Sequence, residues 1–134
     1  MLNVENIEKD GKILAIILRS SEPDKPVEFV TPKDFPLQLG VHKRKKGDYV
    51  EAHDHVPFEN LSNIPVQEFI FVKKGKISVG LYHNKKLDKE LIVSSGESIL
   101  INTGHNVKFL EDTDMMEVKQ GPYREKKNEK ISLE

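Results

Sequence analysis

Apolar residues in this chain come in short bursts broken by turn chemistry, and no stretch keeps helical spacing for three turns. The bursts predict about ten strands: residues 12–19, 27–31, 37–45, 49–55, 66–73, 76–83, 90–94, 98–102, 106–111 and 115–120. Between them stand "EPDKP" at 22–26, "KKG" ending at Gly75, "HNKKLDK" at 83–89, "SSGE" at 94–97, "NTG" at 102–104 and "EDTD" at 111–114. Closely spaced strands with short turns predict an all-β sandwich or barrel, because closure removes the edges that many short strands would otherwise expose. One connection stands apart. "VPFENLSNIPV", between His55 and Gln67, is long for a hairpin and reads either as a flap over what the neighbouring strands hold or as an inert surface loop.

A length of 134 residues predicts a single domain able to bury a core without disulfides. The predicted barrel covers residues 1–122, with N-terminal strands over 12–31 and the main body over 37–120. Residues 123–134, "YREKKNEKISLE", read as a charged tail that Tyr123, Ile131 and Leu133 could pin to the barrel or to a second subunit. The 21 basic and 22 acidic side chains nearly cancel, so no net field favours nucleic acid or an anionic membrane, and neither partner is expected. The longest apolar run, Ile13 to Leu18, is too short to span a bilayer, and the polar residues before it are unlike a signal peptide, so a cytoplasmic location is expected. With no cysteine, any bound metal needs nitrogen and oxygen ligands.

Two of the five histidines, His53 and His55, lie two apart in a predicted strand, which points both imidazoles to one face and Asp54 to the other. Such a pair is either half of a metal site or two hydrogen-bonded polar residues. Gly47 lies before them, Glu68 opens a later strand that ends at Gly75, and Gly96, Gly104 and His105 mark a second turn-strand-turn unit. In this order the residues resemble the two signature motifs of the cupin superfamily, G-x5-H-x-H-x(3,4)-E-x6-G and G-x5-P-x-G-x2-H-x3-N, over roughly residues 39–120. Twelve residues separate His55 from Glu68 where the motif has three or four. Glu59 sits at the literal spacing, but Glu68 is preferred because a strand begins there and Gly75 follows at the motif distance. Asn102 replaces the motif's proline, and His105 follows Gly104 directly, a two-residue shortening that preserves strand parity.

The resemblance implies a double-stranded β-helix, the jelly-roll barrel of the cupins. It also implies one divalent transition metal, of iron, manganese, zinc or nickel type, held by His53, His55, Glu68 and His105 with positions left open for a small-molecule ligand. The segment "FLEDTDMMEVKQGPY" is similar to the ending of small bacterial cupins associated with surface-polysaccharide and nucleotide-sugar biosynthesis. That similarity implies a sugar-related metabolite and isomerase- or epimerase-type chemistry. A metal-dependent dioxygenase, or a non-catalytic sugar- or metal-binding cupin acting as sensor or complex partner, fits the same residues.

Tyr49 and Glu51 share the strand parity of His53, which would turn them into the barrel mouth as candidate catalytic proton donor and acceptor. His42 occupies a strand that could border the site or carry a merely packed or solvent-facing imidazole, whereas His83 reads as a surface residue. Arg19, Lys43 and Arg44 could meet an anion, although "KRKK" at 43–46 also has the composition of a charged, aggregation-resistant edge. If Glu68, Ile70 and Val72 face inward, Phe69 and Phe71 face outward and need covering by the N-terminal strands or by another subunit, which predicts a homodimer. Neither a Gly-rich phosphate loop nor a G-x-S-x-G elbow occurs.

Overall fold

The computed structural model describes residues 1–61 and 66–134, apart from the side chains at 20, 21 and 60. Twelve strands form among the described residues. They are β1 (Leu2–Lys9), β2 (Lys12–Ser21), β3 (Val27–Phe29), β4 (Leu37–Arg44), β5 (Tyr49–His55), β6 (Glu68–Lys74), β7 (Lys76–His83), β8 (Lys86–Ser94), β9 (Ser98–Ile101), β10 (His105–Phe109), β11 (Thr113–Gln120) and β12 (Lys130–Ser132), with a one-turn helix α1 at Lys126–Glu129. Two five-stranded sheets, ordered β12-β5-β10-β7-β8 and β3-β4-β11-β6-β9, make the jelly roll, and β1-β2 forms a separate two-stranded sheet. No helix among the described residues is long and apolar enough to cross a membrane.

Alternation in the strands builds the core. On β6, Ile70 and Val72 are fully buried while Phe69 before them is 40% exposed, as a one-sided strand requires. They pack with Ile77 and Val79 of β7, Val107 and Phe109 of β10, and Ile101, Val93 and Met115 in one cluster between the sheets. Gly75 closes the β6–β7 turn at φ 101°, and a β-carbon there would stand 2.4 Å from the Asp112 carbonyl oxygen, so only glycine fits.

Four features differ from the sequence expectations. The strand β1 was not anticipated, and it pairs with β2 through the two-residue turn Asp10-Gly11, both at positive φ as such hairpins require. Likewise β8 begins at Lys86 instead of residue 90, because Asn84-Lys85 closes the β7–β8 hairpin in two residues. Residues 123–134, expected as a charged tail, form α1 and then β12, which completes one sheet by pairing Lys130 with His55 and Ser132 with His53. Of the expected flap, Glu59–Leu61 forms a short 3-10 turn, and residues 62–65 lie outside the described residues.

Candidate metal centre

At one end of the core the apolar filling gives way to imidazoles and carboxylates. Strand β5 supplies His53 and His55, β6 supplies Glu68 from the facing sheet, and β10 supplies His105, which lies directly across the ladder from His53. One ligand atom from each of His53, His55 and Glu68 falls within 4.8 Å of the others. His105 stands beside this trio: its ring centroid is 4.8 Å from that of His53, and its Nε2 is 3.2 Å from Glu68 Oε2. Gly104 permits this approach, since a β-carbon there would come within 2.1 Å of Asp54 Oδ1 on β5. Glu59, the alternative carboxylate, is exposed on the 3-10 turn, outside the cluster.

The backbone sets the direction of two rings. His53 Nδ1 donates to the Glu51 carbonyl at 2.6 Å, and His105 Nδ1 donates to the Thr103 carbonyl at 3.0 Å. At His53 this leaves the Nε2 lone pair free, and at His105 it turns Nε2 toward Glu68, the kind of backbone bond that orients histidine ligands at metal sites. His53 Nε2 is buried and has no hydrogen-bond partner among the described residues. A buried nitrogen without a partner is costly unless something binds it. Burial lowers the His53 and His55 pKa values from 6.5 to about 3, aided by Lys130 beside His53 and by His53 beside His55, so both rings are neutral at neutral pH. The three imidazoles and one carboxylate therefore fit a divalent transition ion.

A second layer lies behind Glu68. Glu117 on β11 is buried, shares a hydrogen bond with Glu68 and receives another from His42 Nε2 at 2.6 Å. Burial and the neighbouring Glu117 push the Glu68 carboxyl up to about 7. Burial opposes ionisation of Glu117 as well, but its hydrogen bonds from Glu68 and His42 hold it below the usual carboxylate range. Burial opposes protonation of His105 most, but its hydrogen bond to Glu68, the Glu68 charge, the Thr103 carbonyl and the Glu117 charge together raise its pKa. On the other side, Glu129 of α1 lies 3.8 Å from His55 Nε2 and accepts from Lys119 Nζ at 2.9 Å.

Sequence reasoning weighed His42 mainly as packing or surface and did not single out Glu117, Lys119, Glu129 or Lys130. Glu117 carries a usable signal: it shares strand parity with the core residue Met115, and an acid on a buried face needs a partner. Glu129 and Lys130 carry none, since they reach the site only through the β12–β5 pairing.

Tyr49 and Glu51 require correction. They do not share the face of His53, because the β5–β10 ladder has a register shift: His105 pairs with His53, whereas Val107 pairs with Val50. The extra residue on β5 is a bulge, which reverses parity across it. Val50 therefore packs against the core, and Tyr49 points to the other side, where its hydroxyl donates to Glu134 and accepts from Asn106 Nδ2 at 3.3 Å. The exposed Glu51 carboxylate accepts from Ser132 Oγ at 2.6 Å. Among the other candidates, Arg19 pairs with Glu5 and Lys43 with Glu22 at the surface, and His83 is exposed.

Two cavities meet at the site. The inner chamber, about 140 Å³, contains the four candidate ligands with His42 and Glu117. The outer basin, about 810 Å³, is lined by Tyr49, Glu51, Ser132, Lys126 and Lys127. Arg44, Val50, His53 and Lys130 line both, and so mark the passage between them.

No family profile and no curated protein matches the sequence. Solved structures do resemble it. A Bacillus halodurans protein, BH2720, superposes with a TM-score of 0.53 at 20% identity over 66% of this chain and 65% of its own. An RmlC-like cupin from Desulfovibrio desulfuricans gives 0.53 at 19% identity over 70% of this chain and 79% of its own. A single-residue variant of oxalate decarboxylase from Bacillus subtilis gives 0.61 at 18% identity over 79% of this chain but only 27% of its own. The chain thus spans under two thirds of the first of these proteins and about a quarter of the last. Two five-stranded sheets in jelly-roll order, with histidines and a glutamate gathered at one end and these neighbours in shape, establish that the chain has the cupin fold.

Proposed function

We propose that the protein is a metal-dependent cupin in which His53, His55, Glu68 and His105 hold one divalent transition ion and a small polar metabolite binds beside it. The observation that carries this reading is His53, whose Nδ1 is fixed by a backbone carbonyl while its buried Nε2 has no partner among the described residues. A bound ion would supply Lewis acidity toward a carbonyl or hydroxyl oxygen, or redox chemistry if it is iron or manganese. The protein's own groups orient the imidazoles and keep His53 and His55 neutral. Elemental analysis of untagged protein should find about one transition metal per chain, and His53→Ala with His55→Ala should abolish it, since removal of direct ligands costs more than the ten- to hundredfold typical of outer partners. Full retention by the double variant, or failure of the wild type to take up any of iron, manganese, zinc or nickel, overturns the reading.

For the reaction we propose isomerase- or epimerase-type chemistry on a sugar-related metabolite, supported by the resemblance of the segment around β11 to cupins of polysaccharide biosynthesis. Substrate-dependent oxygen uptake would instead assign an oxygenase.

A homodimer is proposed on the exposed apolar surface. Phe69 is 40% and its ladder partner Leu100 60% exposed on the outer face of one sheet, and no described residue of the Ile13–Leu18 run is buried. A lone two-stranded hairpin is marginal in water, and covering it against that face of a second copy would remove both patches. Sedimentation should give twice the monomer mass, and Phe69→Lys with Leu100→Lys should give monomers; a monomeric wild type removes the proposal.

A further inference from the structure

The passage between the two cavities is cationic. Arg44 donates through Nε to His42 Nδ1 at 3.1 Å, and its guanidinium carbon lies 5.3 Å from the centre of the Phe109 ring. These contacts hold the planar head in place, while its two terminal nitrogens donate to no described residue. Lys130, across the passage at the start of β12, is partly buried, and its ammonium makes no ion pair or hydrogen bond with any described residue. Of the other cations nearby, Lys119 is paired with Glu129 and Lys43 with Glu22 at the surface, while Lys126 and Lys127 are exposed on the outer basin. Two partly buried cations lining one passage disfavour each other, and that cost falls when an anion binds between them. Glu129, Glu68 and Glu117 attract Lys130 from within the chamber without forming an ion pair with it, since Glu129 is engaged by Lys119 and Glu117 by His42 and Glu68.

We propose that Arg44 and Lys130 are the anion-recognition pair of this site and that its ligand is a small carboxylic acid. The inference rests on the proposed use of the inner chamber as the reaction site and adds the class of molecule that enters it. A guanidinium fork held flat with two free donors matches a carboxylate bidentately, and Lys130 supplies a point charge to the same group. The inner chamber is small, so a compact acid fits with its carboxylate at the passage and its remaining oxygens toward His53, His55 and Glu68. A sugar acid combines this feature with the polyhydroxylated metabolite proposed above.

Calorimetric titration with succinate, its uncharged analogue succinamide, and inorganic phosphate tests the assignment. Wild-type protein should bind succinate in the millimolar range or better and about tenfold more tightly than succinamide. Arg44→Gln and Lys130→Gln should each weaken succinate about tenfold, while the bound metal content stays that of the wild type. Arg44→Lys, which keeps the charge and loses the fork, should fall between wild type and Arg44→Gln, and the remote Lys86→Gln should bind like wild type. Thermal melts of each variant separate lost binding from lost folding. Equal affinity for acid and amide, no succinate binding, unchanged affinity in folded Arg44→Gln and Lys130→Gln, or tighter binding of phosphate than of succinate overturns the proposal. Repeating the titration on chelator-stripped protein separates the two readings, since a chain that never holds metal defeats the metal centre while its preference for acid over amide can still be read.

Discussion

The inner chamber and the outer basin share the residues of one passage, yet their chemistry is opposite. Inside, imidazoles and carboxylates are buried, mostly engaged by one another, and strongly shifted in pKa. Outside, Tyr49 and Glu51 are exposed and engaged by C-terminal residues. Tyr49 and Glu51 come from the same strand as His53 and His55, within a few residues of them. The difference teaches that the ladder, through a single bulge, decides which side chain enters which cavity.

The largest effect expected from that contrast belongs to Glu68. Its carboxyl is raised from 4.5 to about 7 in the folded protein, so the metal-free fold is favoured while Glu68 is protonated and loses that advantage as the pH rises through about 7. Glu68→Gln keeps the shape and hydrogen-bonding capacity without the charge. The metal-free variant should be more stable than metal-free wild type by about 1–3 kcal/mol above neutral pH, with the gain vanishing in acid, as read by denaturant unfolding. A variant destabilised at every pH would show that the Glu68–Glu117 contact is not strained.

His42→Ala comes next. It removes the hydrogen bond that fixes Glu117 behind Glu68, and metal affinity should fall by about ten- to a hundredfold, or about 1.4–2.7 kcal/mol, in a chelator competition assay. Unchanged affinity would reduce His42 to packing.

Acid should then expose the two neutral histidines. Because His53 and His55 are lowered from 6.5 to about 3, the unfolded chain binds protons that the folded chain refuses. Metal-free stability is therefore fully present above about pH 6.5 and declines toward pH 3, and glutamine at both positions should flatten that slope by on the order of 1–2 kcal/mol per pH unit. An unaltered slope would place the acid sensitivity elsewhere. The smallest effects belong to the outer basin: Tyr49→Phe and Glu51→Gln should each change stability by about 0.5 kcal/mol or less and leave metal content alone. A metal loss as large as that of His42→Ala would return both residues to the chamber.

Much of the site was legible because period-two alternation is local. On β6 it places Glu68, Ile70 and Val72 on one face and Phe69 on the other, as observed. The same rule failed across β5, because a bulge is a property of two strands in register and leaves no mark in one of them. Strand β1 was missed although Asp10-Gly11 is a strong hairpin signal, since the residues before it are mostly polar. Strand β12 has three residues and gains its conformation by pairing with β5. His42 and Glu117 are 75 positions apart, and only the neighbouring strands β4 and β11 bring them together.

By itself the sequence determined the class of fold, the two-histidine face of β5, the glutamate that opens β6 and the histidine after Gly104, because each rests on local alternation, turn chemistry or motif order. Tertiary structure alone decided that Tyr49 and Glu51 face away, that Glu117 and His42 stand behind Glu68, and that Arg44 and Lys130 flank one entrance. Those outcomes depend on strand register and on closure between distant segments, where a shift of one residue turns a side chain from the chamber to solvent.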